Sequence, residues 1–191
     1  MRTSVATLLV IFLFSVDQSQ RRTAASAVER QTKASATTDL PENILVDERL
    51  TDIVNEMLPA SRTFRAQCRH LGTVRHLRVR ISLEGDRGPV RGRRAVCQMT
   101  RYEFGRIEAD VRLFTVEDAQ GLIAHELEHV REFADGISYG VMSVRQPMEV
   151  WVSSPGRFET IRAIEAGLQV ASETKRHRAR QSSTTFAKRA Q

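Results

Sequence analysis

Residues 121–136 read GLIAHELEHVREFADG, and this stretch decides the fold because it predicts a long helix with one buried face. The segment from Thr115 to Asp118 has a capping residue followed three positions later by an acid, which marks a helix start, and Gly136 is placed to end the helix. The apolar residues of the buried face recur at helical spacing: Leu122, Ile123, Leu127, Val130 and Phe133. Two histidines, His125 and His129, therefore lie on a helix that is itself largely in the core.

The residues from His125 to His129, HELEH, form the H-E-x-x-H motif. An α-helix turns about 100° per residue, so side chains at positions i and i+4 point the same way and both imidazoles can bind one zinc ion. Glu126 projects at an adjoining angle, where its carboxylate can reach a water on the metal and act as a general base. The motif predicts zinc-dependent hydrolysis of peptide bonds. The competing interpretation is an ordinary helix with satisfied histidines.

A catalytic zinc ion needs a third protein ligand besides the two histidines. Glu159 lies thirty residues after His129 in the segment RFETIRAIEAG, residues 157–167, which predicts the first turn of a last helix. The two motifs resemble those of the gluzincin metallopeptidases, in which a glutamate on a second helix completes the site. The resemblance implies a zinc metallopeptidase with Glu126 as catalytic base and three metal ligands: His125, His129 and Glu159.

The segment after Glu159 departs from the gluzincin pattern. In that family the ligand commonly begins an E-x-x-x-D stretch whose aspartate orients a histidine, whereas here Glu159-Thr-Ile-Arg-Ala163 ends in alanine. Glu128 or another acid is therefore a candidate for the orienting role.

Three other acids are alternative third ligands. Glu165 shares the last helix with Glu159 but lies about 240° around it, so both cannot face one metal. Glu132 lies on the histidine face, but a continuous helix cannot easily wrap three ligands around one ion. Asp135 matches the aspartate of the H-E-x-x-H-x-x-G-x-x-D pattern of some metzincin-like enzymes, although Glu132 replaces the glycine that lets the chain turn there. Glu159 is the preferred ligand.

Tyr139 follows the histidine helix and could donate a hydrogen bond to the oxyanion that forms during peptide hydrolysis. The favoured interpretation is a half-buried tyrosine that caps the core. The sequence leaves the residue that stabilises the transition state open.

The periodicity of the whole chain predicts an α+β domain of zincin-like form, with a small, mostly antiparallel sheet packed on the histidine helix. The strand over residues 106–114 leads into that helix and is the predicted edge strand for an extended substrate. The other predicted elements are a helix that Pro59 ends, a helical segment at 61–71, a strand at 76–83, a hairpin at 94–114 and a last helix near 157–172.

Composition divides the chain into four segments. Residues 1–27 predict a signal peptide, because Arg2 precedes an apolar run that is too short to span a membrane; an uncleaved N-terminal anchor is the alternative. Residues 28–44 predict a flexible linker, residues 45–174 the zincin-like metallopeptidase domain, and residues 175–191 a basic, disordered tail. We therefore expect an exported protein, secreted or periplasmic, with no membrane span in the mature chain.

Charge and cysteine content bear on the partners of the protein and on its oxidation state. The formal net charge is +6, but many arginines alternate with apolar residues as on the outer face of strands, so no specific nucleic-acid partner is expected. In an oxidising compartment Cys68 and Cys97 are expected to pair, and two buried thiols are the alternative.

The expected partner is a protein or peptide substrate. The alternative function is a non-catalytic, exported, metal-containing binding protein whose arginine-rich face and tail attach it to an anionic polymer or lipid. Four protein ligands around the zinc would favour that alternative, because catalytic zinc keeps a water. A weaker alternative is a nucleic-acid binder driven by the basic tail.

Overall fold

The first described elements are a short strand and two helices. The computed structural model describes residues 40–85, 93–154 and 157–189, so the predicted signal peptide lies outside the described residues. Strand β1 spans Ile44–Val46, helix α1 spans Glu48–Ala60 and helix α2 spans Arg62–Thr73. Asp47 and Ser61 cap the two helices with side-chain oxygens that accept backbone hydrogen bonds. Both predicted helices are confirmed, and β1 already includes Ile44, a residue assigned to the linker.

Four strands form a mixed sheet, with β2 at Leu77–Leu83, β3 at Ala95–Arg101 and β4 at Ile107–Leu113, in the order β1-β2-β4-β3. β2 runs parallel to both β1 and β4, and β3 pairs antiparallel with β4. The α+β class and the β3–β4 hairpin are confirmed. The prediction of a mostly antiparallel sheet is wrong, because alternating burial looks the same for either strand direction.

The strand order also corrects the prediction of the sheet edge. β4 leads into the histidine helix, but it lies between β2 and β3 and is hydrogen bonded on both sides. The chain runs from β2 out to β3 and then returns to the centre as β4. β3 is therefore the edge strand on this side of the sheet.

The histidine helix, α3, spans Ala119–Ala134, and its apolar face is buried. It begins later than predicted, because Thr115 accepts a hydrogen bond from the backbone of Glu117 within a turn and Asp118, with a φ of 53°, precedes the first helical residue. Gly136 follows the helix with a φ of 82°, a conformation that glycine adopts without strain, as predicted.

The segment after α3 contains more regular structure than predicted. Helix α4 spans Tyr139–Arg145, and strand β5 at Val150–Ser154 pairs antiparallel with strand β6 at Arg157–Thr160. Helix α5 spans Ile161–Arg189. Glu159 therefore lies on a strand immediately before the last helix, and the prediction that it lies on the first helical turn is wrong.

α5 also continues well beyond its predicted end near Ser172. It includes most of the basic segment that the sequence predicted to be a disordered tail. Arg178 in that segment forms an ion pair with Glu56 of α1, a long-range contact that local composition does not reveal. Among the described helices, none has both the length and the apolar character required to cross a bilayer.

The two cysteines are free, so the predicted disulfide is wrong. Cys68 lies on α2 and Cys97 on β3, and α3 packs against both of these elements. Each side chain is packed against the core, and burial raises the pKa of the Cys68 thiol to about 12.

Helices α3 and α5 approach closely at a pair of glycines. A Cβ atom at Gly167 would lie 2.8 Å from the carbonyl oxygen of Gly121 and 3.2 Å from Cβ of His125. A side chain does not fit against backbone at that distance, so this crossing requires glycine. The crossing brings α5 directly beside the first histidine.

Candidate metal centre

Two imidazoles and one carboxylate meet beside α3. Nε2 of His125 and Nε2 of His129 each lie 3.2 Å from Oε1 of Glu159. One potential ligand atom from each of the three residues lies within 4.8 Å of the other two. The structure thus brings together the three residues that the sequence predicts as metal ligands.

The distances and the donor types fit a divalent ion. In a tetrahedral zinc site with bonds of about 2.0–2.1 Å, neighbouring ligand atoms lie roughly 3.3 Å apart. The nitrogen–oxygen distances of 3.2 Å are close to that value. Burial acts to raise the pKa of Glu159, but hydrogen bonds with His125 and His129 hold it well below its ordinary value. The carboxylate is therefore charged and suited to bind a cation.

The β5–β6 hairpin positions Glu159. In its register, Glu159 pairs with Trp151, and the backbone N–H of Thr160 donates a hydrogen bond of 3.0 Å to Oε1 of Glu159. The Thr160 hydroxyl accepts a hydrogen bond of 3.0 Å from the backbone of Ala163 in the first turn of α5. Thr160 thus fixes the junction between strand and helix that holds the carboxylate over the histidines.

Glu132 is a site residue whose role the sequence pattern alone does not indicate. Its side chain is 1% exposed, and Oε2 lies 3.2 Å from Nδ1 of His129. The hydroxyl of Thr160 donates a hydrogen bond of 2.9 Å to its other oxygen, and that of Tyr139 donates one of 3.3 Å to Oε2. Glu132 is one of the alternative third ligands, but it faces Nδ1 of His129, the nitrogen that points away from the candidate centre.

This contact determines which nitrogen of His129 is available to a metal. A carboxylate at Nδ1 favours the proton on that atom, so a metal ion would replace the proton on Nε2, the nitrogen that faces Glu159. Burial alone would lower the pKa of His129, but the hydrogen bonds with Glu132 and Glu159 raise it to about 9. The sequence signal was a glutamate three residues after the second histidine, which places both side chains on one helix face.

Glu126 lies beside the two imidazoles and is 8% exposed. Burial raises the pKa of its carboxyl, and the nearby charges of His125, His129 and Arg157 oppose that rise. A carboxylate whose proton affinity is increased by burial is suited to accept a proton from water.

The other candidate acids do not reach the histidines. Oδ1 of Asp135 lies 2.8 Å from Nε2 of His70 at the surface, and Glu165 is exposed on α5. Glu128 faces away from the site, where it accepts hydrogen bonds from Arg162 at 2.8 Å and from Gln67 at 3.0 Å. Glu128 is therefore not the residue that orients a histidine.

Tyr139 lines the site without pointing its hydroxyl at the candidate ligands. The hydroxyl donates a hydrogen bond of 2.9 Å to the backbone carbonyl of His129, and the ring stacks on Phe158 at 5.7 Å between centroids. This arrangement agrees with the interpretation of a half-buried tyrosine that caps the core. It supplies no oxyanion donor in this conformation.

The candidate centre opens into a cleft of about 790 Å³ between β3, α3 and the β5–β6 hairpin. Residues 95–99 of the edge strand β3 line the cleft. His125, Glu126 and Glu159 line it as well. His125 and Glu159 keep 21% and 23% of their side chains exposed, so both side chains are partly open to solvent.

Comparisons with known proteins give no family: no family model, no curated protein and no solved structure matches this chain.

Proposed function

We propose that the protein is a zinc-dependent peptidase of zincin-like form. In this proposal His125, His129 and Glu159 bind the metal and Glu126 is the general base. The observation that carries the proposal is the convergence of two imidazole nitrogens on one oxygen of Glu159, beside a buried glutamate in an open cleft.

The number of candidate ligands supports catalysis over a structural metal. Within the described residues, no fourth histidine, cysteine or carboxylate joins the cluster. Structural zinc is usually bound by four protein ligands, whereas catalytic zinc is bound by three and keeps an open position. The partial exposure of His125 and Glu159 fits an open position, which favours the peptidase over the non-catalytic binding protein.

The proposed mechanism assigns one task to each side chain. A bound zinc ion would lower the pKa of water and polarise a substrate carbonyl. Glu126 accepts the proton of the attacking water and passes it to the leaving amine, a role that suits its raised pKa. Glu132 holds the imidazole of His129 in the orientation and tautomer required of a ligand.

The edge strand supports a peptide as the substrate. β3 lies at the end of the strand order, and the cleft runs along it. An extended peptide can add to such an edge through backbone hydrogen bonds, which bring its carbonyl groups past the site with little demand on sequence. The role of substrate-binding edge strand, predicted for the strand at 106–114, therefore belongs to β3 in this proposal. Export, which rests on the N-terminal sequence alone, is part of the proposal.

Metal analysis and a peptide-cleavage assay test the proposal together. We expect one zinc per chain in both the wild type and Glu126→Gln, and loss of cleavage by about 10²–10⁴-fold in the variant. His129→Ala serves as the matched control because it should lose both metal and activity. Bound zinc with unchanged cleavage in Glu126→Gln would exclude the mechanism, and absence of metal binding would exclude the proposal.

A further inference from the structure

The two ends of the cleft differ because β3 and α3, which line it, run in the same direction. Near the start of both elements, Arg94 donates a hydrogen bond of 2.6 Å to the backbone carbonyl of Glu117. Near the end of both, Arg101 donates one of 2.8 Å to the carbonyl of Phe133. A peptide added to the edge of β3 therefore has different surroundings on the two sides of the candidate centre.

Two arginines line the cleft without an ion pair to their side chains among the described residues. Arg93 lies two residues before β3, and Arg157 lies on β6, two residues before Glu159. Side chains two apart on a strand share a face, about 7 Å from one another, so Arg157 lies on the same face as the ligand. Within the described residues, no hydrogen bond or ion pair engages the side chain of Arg93 or Arg157.

The opposite end of the cleft is apolar. Met99, near the end of β3, and Phe133, near the end of α3, line it together with the ring of Tyr139. The guanidinium of Arg101 lies over the Phe133 ring at 5.1 Å and donates to the Phe133 carbonyl, so its charge is already engaged.

Among the described residues, the acids of the cleft form no hydrogen bond or ion pair with the side chains of the two arginines, although the charge of Arg157 acts on Glu126. Among the described residues that line the cleft, the acids are Glu126 and Glu159, which are the proposed base and ligand. Arginine binds carboxylates through two parallel hydrogen bonds, which lysine cannot do. An acidic group of a bound peptide is therefore the natural partner for these side chains.

We propose that the cleft selects acidic peptides, with a carboxylate on the C-terminal side of the cleaved bond and an apolar residue on its N-terminal side. Antiparallel addition to β3 is the more stable pairing, and it places the C-terminal part of the peptide beside the start of β3, near Arg93. Arg157 serves the position closer to the cleaved bond. This inference rests on the proposed peptidase function.

The first experiment digests a mixed peptide library with the zinc-loaded protein and identifies the cut sites by mass spectrometry. We expect aspartate and glutamate to be enriched about tenfold within three positions on the C-terminal side, as a charge-assisted hydrogen bond would give. Combining Arg93→Glu with Arg157→Glu should reverse the preference toward lysine, whereas combining Arg93→Gln with Arg157→Gln should only abolish it. Arg69→Glu, on the exposed face of α2, is the matched control and should leave the preference unchanged.

The second experiment measures binding without turnover. A fluorescent acidic peptide and its amide counterpart, with Gln and Asn in place of Glu and Asp, are titrated into the Glu126→Gln protein. We expect the acidic peptide to bind about tenfold more tightly, and the difference to vanish when Arg93→Gln and Arg157→Gln are both added. Metal content is measured for each variant, so that a loss of zinc is distinguished from a loss of peptide binding.

The outcomes distinguish failure of the proposed acidic preference from failure of the proposed peptidase function. Cleavage with no acidic preference, or with one that survives both charge reversals, overturns the inference and leaves the peptidase intact. If no peptide is cleaved by the zinc-loaded protein, the peptidase and its substrate preference both fail. Equal binding of the acidic and amide peptides also overturns the inference.

Discussion

Helix α3 carries two buried glutamates one turn apart whose surroundings differ. Glu128, with 5% of its side chain exposed, is paired with Arg162 at 2.8 Å and with Arg131 at 3.3 Å, both permanent cations. Glu132, with 1% exposed, is held by His129 and by the hydroxyls of Thr160 and Tyr139, and Nε of Arg162 is 3.9 Å away. The same residue type is thus neutralised mainly by two arginines at one position and mainly by a histidine and two hydroxyls one turn later.

This difference separates a structural carboxylate from a site carboxylate. A buried charge needs a partner, and Glu128 has two that stay charged at every physiological pH. Glu132 instead draws the Nδ1 proton of His129 and increases the basicity of the nitrogen that faces Glu159. A cation at the centre would add to the neutralisation of Glu132, whereas Glu128 needs none. Metal binding should therefore depend on Glu132 and be independent of Glu128.

The largest effect expected from this comparison concerns metal affinity. Glu132→Gln should weaken zinc binding by about 10–100-fold, because an amide holds the imidazole less firmly and does not increase its basicity. Glu128→Gln, one turn away, should leave the affinity within about twofold. Competition with a chromophoric chelator measures both. Equal losses in the two variants would mean that the surroundings of Glu128 and Glu132 do not differ as described.

Without metal, we expect Glu128 to contribute to the stability of the protein. Glu128→Gln leaves Arg162 and Arg131 without their carboxylate partner. Because these arginine side chains are 45% and 35% exposed, hydration offsets part of the lost interaction energy. We expect a loss of about 1.5 kcal/mol in the free energy of unfolding, measured with urea. An unchanged midpoint would show that the arginines find other partners at no cost.

Much of the candidate site was predictable from the sequence because its key residues follow short-range rules. His125 and His129 share a face at i and i+4, and Gly136 ends the helix for a reason that local backbone geometry supplies. The sequence predicts Glu159 as the third ligand and correctly places it near the histidines, although the predicted helical turn is a strand in the structure. The two positions are close because β6 ends directly before the last helix begins.

The features that could not be predicted are long-range. The parallel pairing of β2 with β4, and hence the position of β3 at the edge, depends on the path of the chain between elements, which burial patterns do not record. The role of Glu132 depends on Thr160 and Tyr139, which come from two later elements. The ion pair between Arg178 and Glu56 joins residues far apart in the chain, so composition alone predicted a disordered tail there.

A third prediction addresses how closely α5 approaches the histidine side of α3. Gly167→Ala should lower the free energy of unfolding by about 1 kcal/mol, because its Cβ would lie 2.8 Å from a backbone oxygen of α3. The matched control is Gly140→Ala in α4, where a Cβ meets nothing within 4 Å, so only the helix propensity of alanine acts and stability should rise by up to about 1 kcal/mol. The two variants are compared by thermal unfolding, and a gain in both would contradict the close crossing.

The smallest expected effect concerns Glu173 of α5, a carboxylate held by neutral groups at a more exposed position. It accepts hydrogen bonds from Thr63 at the start of α2 and from Gln169, and together with Ser61 these offset the effect of burial and lower its pKa from 4.5 to about 2. A carboxyl with a lowered folded-state pKa contributes stability above the unfolded pKa and loses it as the pH falls toward the folded pKa.

Glu173→Gln should therefore unfold more easily than the wild type by up to about 1 kcal/mol at pH 6, and the difference should shrink between about pH 4.5 and pH 2. Urea titrations of the two proteins across this range measure the difference in the free energy of unfolding. A difference that does not depend on pH would mean that the charge of Glu173 contributes nothing to stability, unlike the charges of Glu128 and Glu132 on α3.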